Sequence, residues 1–422
     1  MIKKKIVIAI LFFSTISFAQ TTNSSPYSLF GIGDQVNLKT VEEIAMGQMG
    51  GALNSEYQLS FTNPASYGSL SWTTYVFSGG NKTTIVNDGD QTQTSSAAAL
   101  TYIALGIPIR DNQGLVMGLQ LNTAVGYGLV DQRFDDNGNL VELDRYFGNG
   151  GTNRVFVGYG YQFPFDLSLG AEVAYVFGSI DNNVINRRSG VQLATQHISD
   201  SYVKGTSLKV GAHFAPNITD RIKLKVGVSG ELESELSEDG DETIFSLINV
   251  DDGVLRPVDT LSSNPFKATI TSPLKTTISA GIGEDNKWFV GAEYSFQNAL
   301  NFSGGIYDDI DFYRYDSYSN ISVGGYYLPK VNSISNYFNR VTYRAGFHYQ
   351  KTGLVVNDTE INEYGMSFGV SLPIGLKLSN VNLGFELGKR GTTDNNLIEE
   401  NFYNFRMSLS LNDKWFRKQK IF

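Results

Sequence analysis

Three histidines, His197, His213 and His348, are the natural places to look for proton transfer or nitrogen ligation of a metal. Their spacing matches no metal-ligand motif. His197 falls in an expected loop. His213 and His348 fall on polar strand faces, where a polar group is expected in any case. The chain has no cysteine, which removes disulfides, thiolate metal sites and thiol nucleophiles. Asp135-Asp136-Asn137-Gly138-Asn139 begins like a calcium loop. It lacks the glycine at the sixth position and the bidentate glutamate at the twelfth, so a hairpin turn is the better reading. Asp308, Asp309, Asp311 and Asp316, interleaved with tyrosines, read as a solvated loop. The glycine-rich pieces Gly31-Ile32-Gly33 and Met46-Gly47-Gln48-Met49-Gly50-Gly51-Ala52 have neither the strand–loop–helix setting nor the lysine of a phosphate loop. They read as coil that packs by close backbone approach. No enzyme, cofactor or metal site is expected.

The elements around these residues are strands. In Val341–Gln350, Val341, Tyr343, Ala345, Phe347 and Tyr349 alternate with Thr342, Arg344, Gly346, His348 and Gln350. Side chains alternate with period two along a strand, so one face is apolar and the other polar. The same alternation recurs in Val155–Phe163, Leu167–Phe177, Leu208–Phe214, Ile222–Val228, Trp288–Phe296, Tyr364–Leu372, Val381–Leu387 and Tyr403–Leu411. With Leu115–Leu121, Leu274–Ile282 and Ile321–Tyr327, and weaker strands near Trp72–Gly79 and Ala97–Ile107, the tally is 14. Tight turns at Arg110–Gln113, Pro164–Asp166, Pro216–Asp220, Glu284–Asn286 and Pro373–Ser379 alternate with long polar connections. The long ones run from about Val130 to Gly151, Asp181 to Ser201 and Glu233 to Phe266. Short turns on one side and long loops on the other predict an outer-membrane antiparallel β-barrel, apolar face to lipid and polar face to the lumen. A barrel hydrolase would need a Ser–His pair on the lipid-facing surface, and both strand histidines point the other way.

The N-terminus and composition agree. Lys3–Lys5, the apolar run Ile6–Phe13 and Ser17-Phe18-Ala19 form a secretory signal over 1–19, too short to span a bilayer. Without the three signal lysines the formal charge moves from −9 to −12, which argues against a nucleic-acid partner. The expected divisions are the signal 1–19, an interior segment 20–70, a transmembrane barrel 71–416 and a short basic periplasmic tail 417–422. Phe163, Phe165, Trp288, Trp415 and Phe416 lie by the short turns, as an aromatic girdle would.

An M-G-G-like stretch and the triplet Asn63-Pro64-Ala65, followed by a barrel of this size, resemble the FadL-like outer-membrane transport superfamily. The opening Ser25-Pro26-Tyr27-Ser28-Leu29-Phe30-Gly31-Ile32-Gly33-Asp34 and the ending Lys414-Trp415-Phe416-Arg417-Lys418 are most similar to its Bacteroidetes branch. The resemblance covers the whole mature chain. It implies a barrel of 14 strands with the N-terminal segment folded inside as a hatch containing Asn63, Pro64 and Ala65. It also implies uptake of hydrophobic small molecules. The alternative it implies is a non-transporting partner barrel, as PorV-like members are to the type IX secretion system. Expected contacts beyond that are outer-membrane lipid and the barrel-assembly machinery.

Face assignment gives the expected lumen. Lys209, Lys223, Lys225, Glu231, Glu293, Arg344, His348, Glu386 and Arg390 form its polar lining, in charge pairs that would hold an interior plug. Phe156 and Phe289, with Leu29, Phe30 and Met49 of the interior segment, are the expected contacts for a hydrophobic ligand.

Overall fold

Fourteen antiparallel strands close on themselves in the computed structural model. It describes residues 23–250, 254–307, 312–375 and 378–414. The expected signal 1–19, the tail 417–422, Trp415, Phe416, Asp308, Asp309 and Asp311 lie outside the described residues. In chain order the strands are β1 (Thr73–Asn87), β2 (Thr92–Arg110), β3 (Gln113–Leu121 and Thr123–Phe134), β4 (Leu140–Gln162), β5 (Leu167–Arg188) and β6 (Leu193–Phe214). They continue as β7 (Lys223–Glu231 and Ser234–Val250), β8 (Val254–Ser272 and Lys275–Glu284), β9 (Trp288–Gln297 and Asn301–Ser303) and β10 (Tyr313–Tyr315 and Tyr318–Tyr327). The last four are β11 (Thr342–Val356), β12 (Thr359–Ile374), β13 (Ser379–Gly391) and β14 (Glu399–Asp413). Closure comes from β1 pairing with β14, Thr73 opposite Asp413 through Asn87 opposite Glu399. Hydrocarbon offers no partner to a backbone amide, so a sheet crossing it must close.

The long connections expected from the sequence are strands. β5 and β6 each run for 22 residues and stay paired from Leu167–Phe214 to Asn186–Thr195. At about 3.4 Å per residue each reaches about 70 Å along its own path, well beyond a hydrocarbon layer of about 30 Å. The apolar alternation stops where the strands leave the lipid, while the backbone pairing continues. Thus Val173 and Tyr175 face outward in the exposed apolar band, and Ser179 and Asp181 continue the same face above it. His197, expected in a loop, lies on β6 opposite Ile244, with Glu242 at 3.2 Å. Tyr313–Tyr315, expected within a loop, pairs with β11. At Asp135–Asn139 the Asp135 carboxylate accepts from the amides of Asn137 (2.9 Å) and Asn139 (2.7 Å), which is an ordinary Asx-turned hairpin.

Between β2 and β3 the pairing of the wall is interrupted. The first half of β3 pairs with β2 from Arg110–Gln113 to Tyr102–Gln120. Beyond Asn122 the second half pairs with β4 and, on its other edge, with Asp34 and Gln35 of the N-terminal segment. Residues 92–101 of β2 keep only β1 as a partner.

Residues preceding β1 run through the interior. A four-residue helix α1 (Val41–Ile44) starts at a capping box, Thr40 N–H to Glu43 Oε2 at 2.7 Å and Glu43 N–H to Thr40 Oγ1 at 3.2 Å. The following turn presses its backbone against glycines of the wall. A Cβ on Gly346 would fall 2.1 Å from the carbonyl carbon of Met46, and one on Gly227 would fall 1.8 Å from the carbonyl oxygen of Gly51. Gly47 itself has φ +69°. The glycines on the polar strand faces are therefore contact points for the interior segment.

Replacing Gly346 with valine should destabilise the barrel by about 1–3 kcal/mol in urea unfolding from vesicles, because the backbone opposite cannot retreat. Gly230→Ala, where the new Cβ meets only Leu274 Cδ1 at 3.6 Å, should stay within about 0.5 kcal/mol of the parent. Equal effects at both sites would contradict this account.

Candidate functional site: the occupied lumen

Charged side chains of the wall turn inward because every second strand residue must. The interior segment supplies their partners. Glu293 on β9 is fully buried, ion-paired to Lys39, and accepts the amides of Gly50 (2.9 Å) and Gly51 (2.7 Å). The glycine-rich stretch thus cradles a carboxylate of its own wall. Beside it, Ser279 accepts the Ala52 amide at 3.0 Å, and His213 Nε2 meets the Ala52 carbonyl at the same distance. Gln48 reaches His348 Nε2 (3.2 Å) and donates to Glu386 (3.1 Å), while Asn404 donates to the second Glu386 oxygen at 3.1 Å. Glu363 lies 3.4 Å from His348. Arg390 pairs with Asp34 at 2.8 Å. Arg344, expected as a charge partner, instead donates to the Ser371 hydroxyl.

A second knot lies around Tyr67. Arg154 and Glu172, both 2% exposed, are ion-paired across β4 and β5, with Lys209 at 3.7 Å from Glu172. The Tyr67 hydroxyl donates to Glu172 at 2.6 Å. Asn63 caps the short helical turn Pro64–Ser69 by accepting the Ala65 amide at 3.0 Å. The same side chain donates to the carbonyls of Gly51 (3.1 Å) and Ala212 (2.9 Å). Asn63, Pro64 and Ala65 are all buried.

Lys223 and Lys225 sit at the short-turn end. Both reach Asp285 at 2.8 Å, in the turn between β8 and β9. Burial alone would raise the Asp285 carboxyl, but the two lysines outweigh it and hold it below its ordinary value.

The cavity that remains has a volume of about 360 Å³. Its walls include Asp34, Lys39, Lys82, Lys209, Glu231, Glu363, Glu386, Arg390 and Arg406, with Phe61, Phe302 and Tyr318 as apolar patches. Phe156, Phe289, Leu29, Phe30 and Met49, the expected ligand contacts, are not on its wall. Phe156 packs edge-on against Phe61, with ring centroids 5.7 Å apart. Phe289 packs on Met49 and Ala52. Leu29 and Phe30 join Tyr27, Leu354 and Ile361. The interior segment needs apolar surface to pack on, and these side chains provide it. Among the described residues, no three histidine, aspartate or glutamate side chains converge on a metal site.

Arg154, Glu172, Lys39 and Asp34 escaped sequence reasoning. Arg154 and Glu172 were within reach, since each shares a face with its neighbour two residues on, Phe156 or Ala174. Lys39 and Asp34 lie in coil, where no periodicity assigns a direction.

A closed antiparallel barrel of 14 strands, with an apolar outer band and an N-terminal segment inside, has the fold of outer-membrane channels. The chain belongs to the BamG family, whose profile matches residues 1–422. No curated protein matches it by sequence. Among solved structures it is similar to a FadL homologue of Pseudomonas aeruginosa, at TM-score 0.60 and 13% identity over 90% of this chain and 99% of that one. The toluene transporter TodX of Pseudomonas putida gives 0.58 and 14% over 90% and 99%. The CymD monoaromatic hydrocarbon channel gives 0.55 and 14% over 90% and 98%. At these identities the likeness is one of fold.

Arg154→Met should cost about 3–5 kcal/mol in urea unfolding, because it strands a buried carboxylate. Adding Glu172→Leu should restore part of that loss. A double variant as unstable as the sum of the two single ones would contradict a paired role.

Proposed function

We propose that this chain is a partner barrel of an outer-membrane assembly machine and that its lumen is not a conduit. The observation that carries this reading is the state of the lumen. The interior segment is tied to opposite walls by buried charge: Lys39 to Glu293, Asp34 to Arg390, Tyr67 to the Arg154–Glu172 pair. Opening a path would leave several of these charges unpaired in a low-dielectric interior. The remaining cavity carries ten charged side chains among its apolar ones, so a wholly hydrophobic solute would lie against charge. The Bam prefix of the family name, that of barrel-assembly components, supports the same direction.

One observation favours a second reading, a channel for hydrophobic small molecules like those named for the structural neighbours. It is the interruption between β2 and β3, which gives the cavity a side exit at Ala97, Ala99 and Thr101. Asn23 and Ser24 bridge its upper part. Ser24 donates to Thr84 (3.4 Å) and accepts from Ser95 (3.2 Å), while Asn23 donates to the Ala124 carbonyl at 3.1 Å.

Gentle detergent extraction of the tagged protein from its native outer membrane, followed by native mass spectrometry, separates the two. A stoichiometric complex with another barrel or lipoprotein of the assembly machinery is the expected result. A free monomer carrying a hydrophobic small molecule would overturn the partner reading in favour of the channel.

A further inference from the structure

Three cations on the cavity wall, Lys82, Lys275 and Arg406, are without an ion pair or hydrogen bond among the described residues, and two of them are neighbours. Lys82 stands on β1 and Arg406 on β14. The registers Lys82 opposite Asn404 and Gly80 opposite Arg406 make them diagonal neighbours on the lumen face. Arg406 leans across Gly80, where a Cβ would fall 2.9 Å from its Cγ. Lys82 stands over the Phe402 ring at 5.4 Å, within electrostatic reach of Asp34, Glu363 and Glu400, as Arg406 is of Glu363 and Glu386. The carboxylates around them are engaged elsewhere. Asp34 is held by Arg390, Glu363 faces His348, Glu386 accepts from Gln48 and Asn404, and Glu400 accepts from Ser25. A cation facing a cavity with no direct ion pair or hydrogen bond keeps its donors free for an arriving anion.

The position of the pair narrows what can arrive. Phe405 and Met407, on the outward face of the same stretch of β14, are exposed in the apolar band, and Tyr403 stands at its upper edge. The tight turns Arg110–Gln113 and Glu284–Trp288 lie at the other end of the barrel, the end that faces the periplasm in such proteins. Lys82 and Arg406 therefore lie in the outer half of the barrel, just below the upper edge of the apolar band. Both line the cavity, as do Ala97 and Ala99 on the unpaired edge of β2 and Leu121 and Ala124 across the interruption. Small and apolar side chains border the way from the lipid to the two cations.

We infer that Lys82 and Arg406 bind the phosphate-bearing headgroup of an outer-leaflet lipid, which enters sideways between β2 and β3 and leaves its acyl chains in the bilayer. An arginine fork with an adjacent ammonium suits a multiply charged, three-oxygen phosphate group. The site requires neither reading given for the lumen and is compatible with both.

The test is a native mass-spectrometric titration of the folded full chain with three separate probes: lipid A, palmitate and inorganic phosphate. Saturable binding of lipid A is expected, weakened at least tenfold in Lys82→Gln/Arg406→Gln. The outer-surface pair Lys351→Gln/Lys389→Gln should leave it unchanged. Folding is checked by heat-modifiable gel mobility. Should the neutral pair fail to fold, Lys82→Arg/Arg406→Lys must retain binding while Ala99→Phe, at the entry, must lose it. Undiminished lipid A binding in the lumen variants would overturn the site. Palmitate binding as tightly would overturn the phosphate assignment, and inorganic phosphate binding as tightly would overturn the lipid.

Discussion

The interior segment and the barrel wall touch backbone to backbone. Met46 lies on Gly346 and Gly324, Gly51 on Gly227, and Pro64 on Gly170. Side chains at those wall positions would overlap the segment's backbone and push it out of hydrogen-bonding range. The ion pairs could then not form. The Gly50 and Gly51 amides reach Glu293 only because the chain lies that close. The glycines thus act as steric permission, and the buried charges act as the attraction that uses it.

The arrangement also accounts for the unusual number of buried polar groups on the wall. Glu293, His348, Ser367 and Arg154 are each 2% exposed or less. In a water-filled porin such residues would face solvent. Here they face protein, and nearly all make contact with it. Removing the segment would leave a polar cylinder with its charges deprived of their partners. This is why the segment is best regarded as part of the core and why its Phe61, Tyr67 and Leu70 pack with Tyr102, Val116 and Phe156 of the wall.

Much of this was legible in the sequence. The alternation Tyr364–Leu372 against Gly365–Ser371 fixes which face meets lipid, and the tight turns fix the register of neighbouring strands. Strand count followed from these. Strand length did not, because outside the lipid there is no reason for the outward face to stay apolar. Ser179, Asp181 and Asn183 continue β5 without any hydrophobic mark. In the lumen, face assignment found Glu293, His348, Glu386 and Arg390. It could not find their partners Lys39, Gln48 and Asp34, which lie in coil with no period. It also read Phe156 and Phe289 as open to a ligand, since an inward aromatic looks the same whether a ligand or the chain's own Phe61 or Met49 covers it.

The central claim is that residues from Thr40 to Leu70 belong to the barrel's core. Amide hydrogen exchange of the folded protein in lipid nanodiscs tests it most directly. The account predicts that amides from Ile44 to Ala52 and from Ala65 to Leu70 exchange as slowly as those of β11 and β12. Exchange of that segment within seconds, beside protected strands, would contradict it and would describe a barrel with a loose and removable plug.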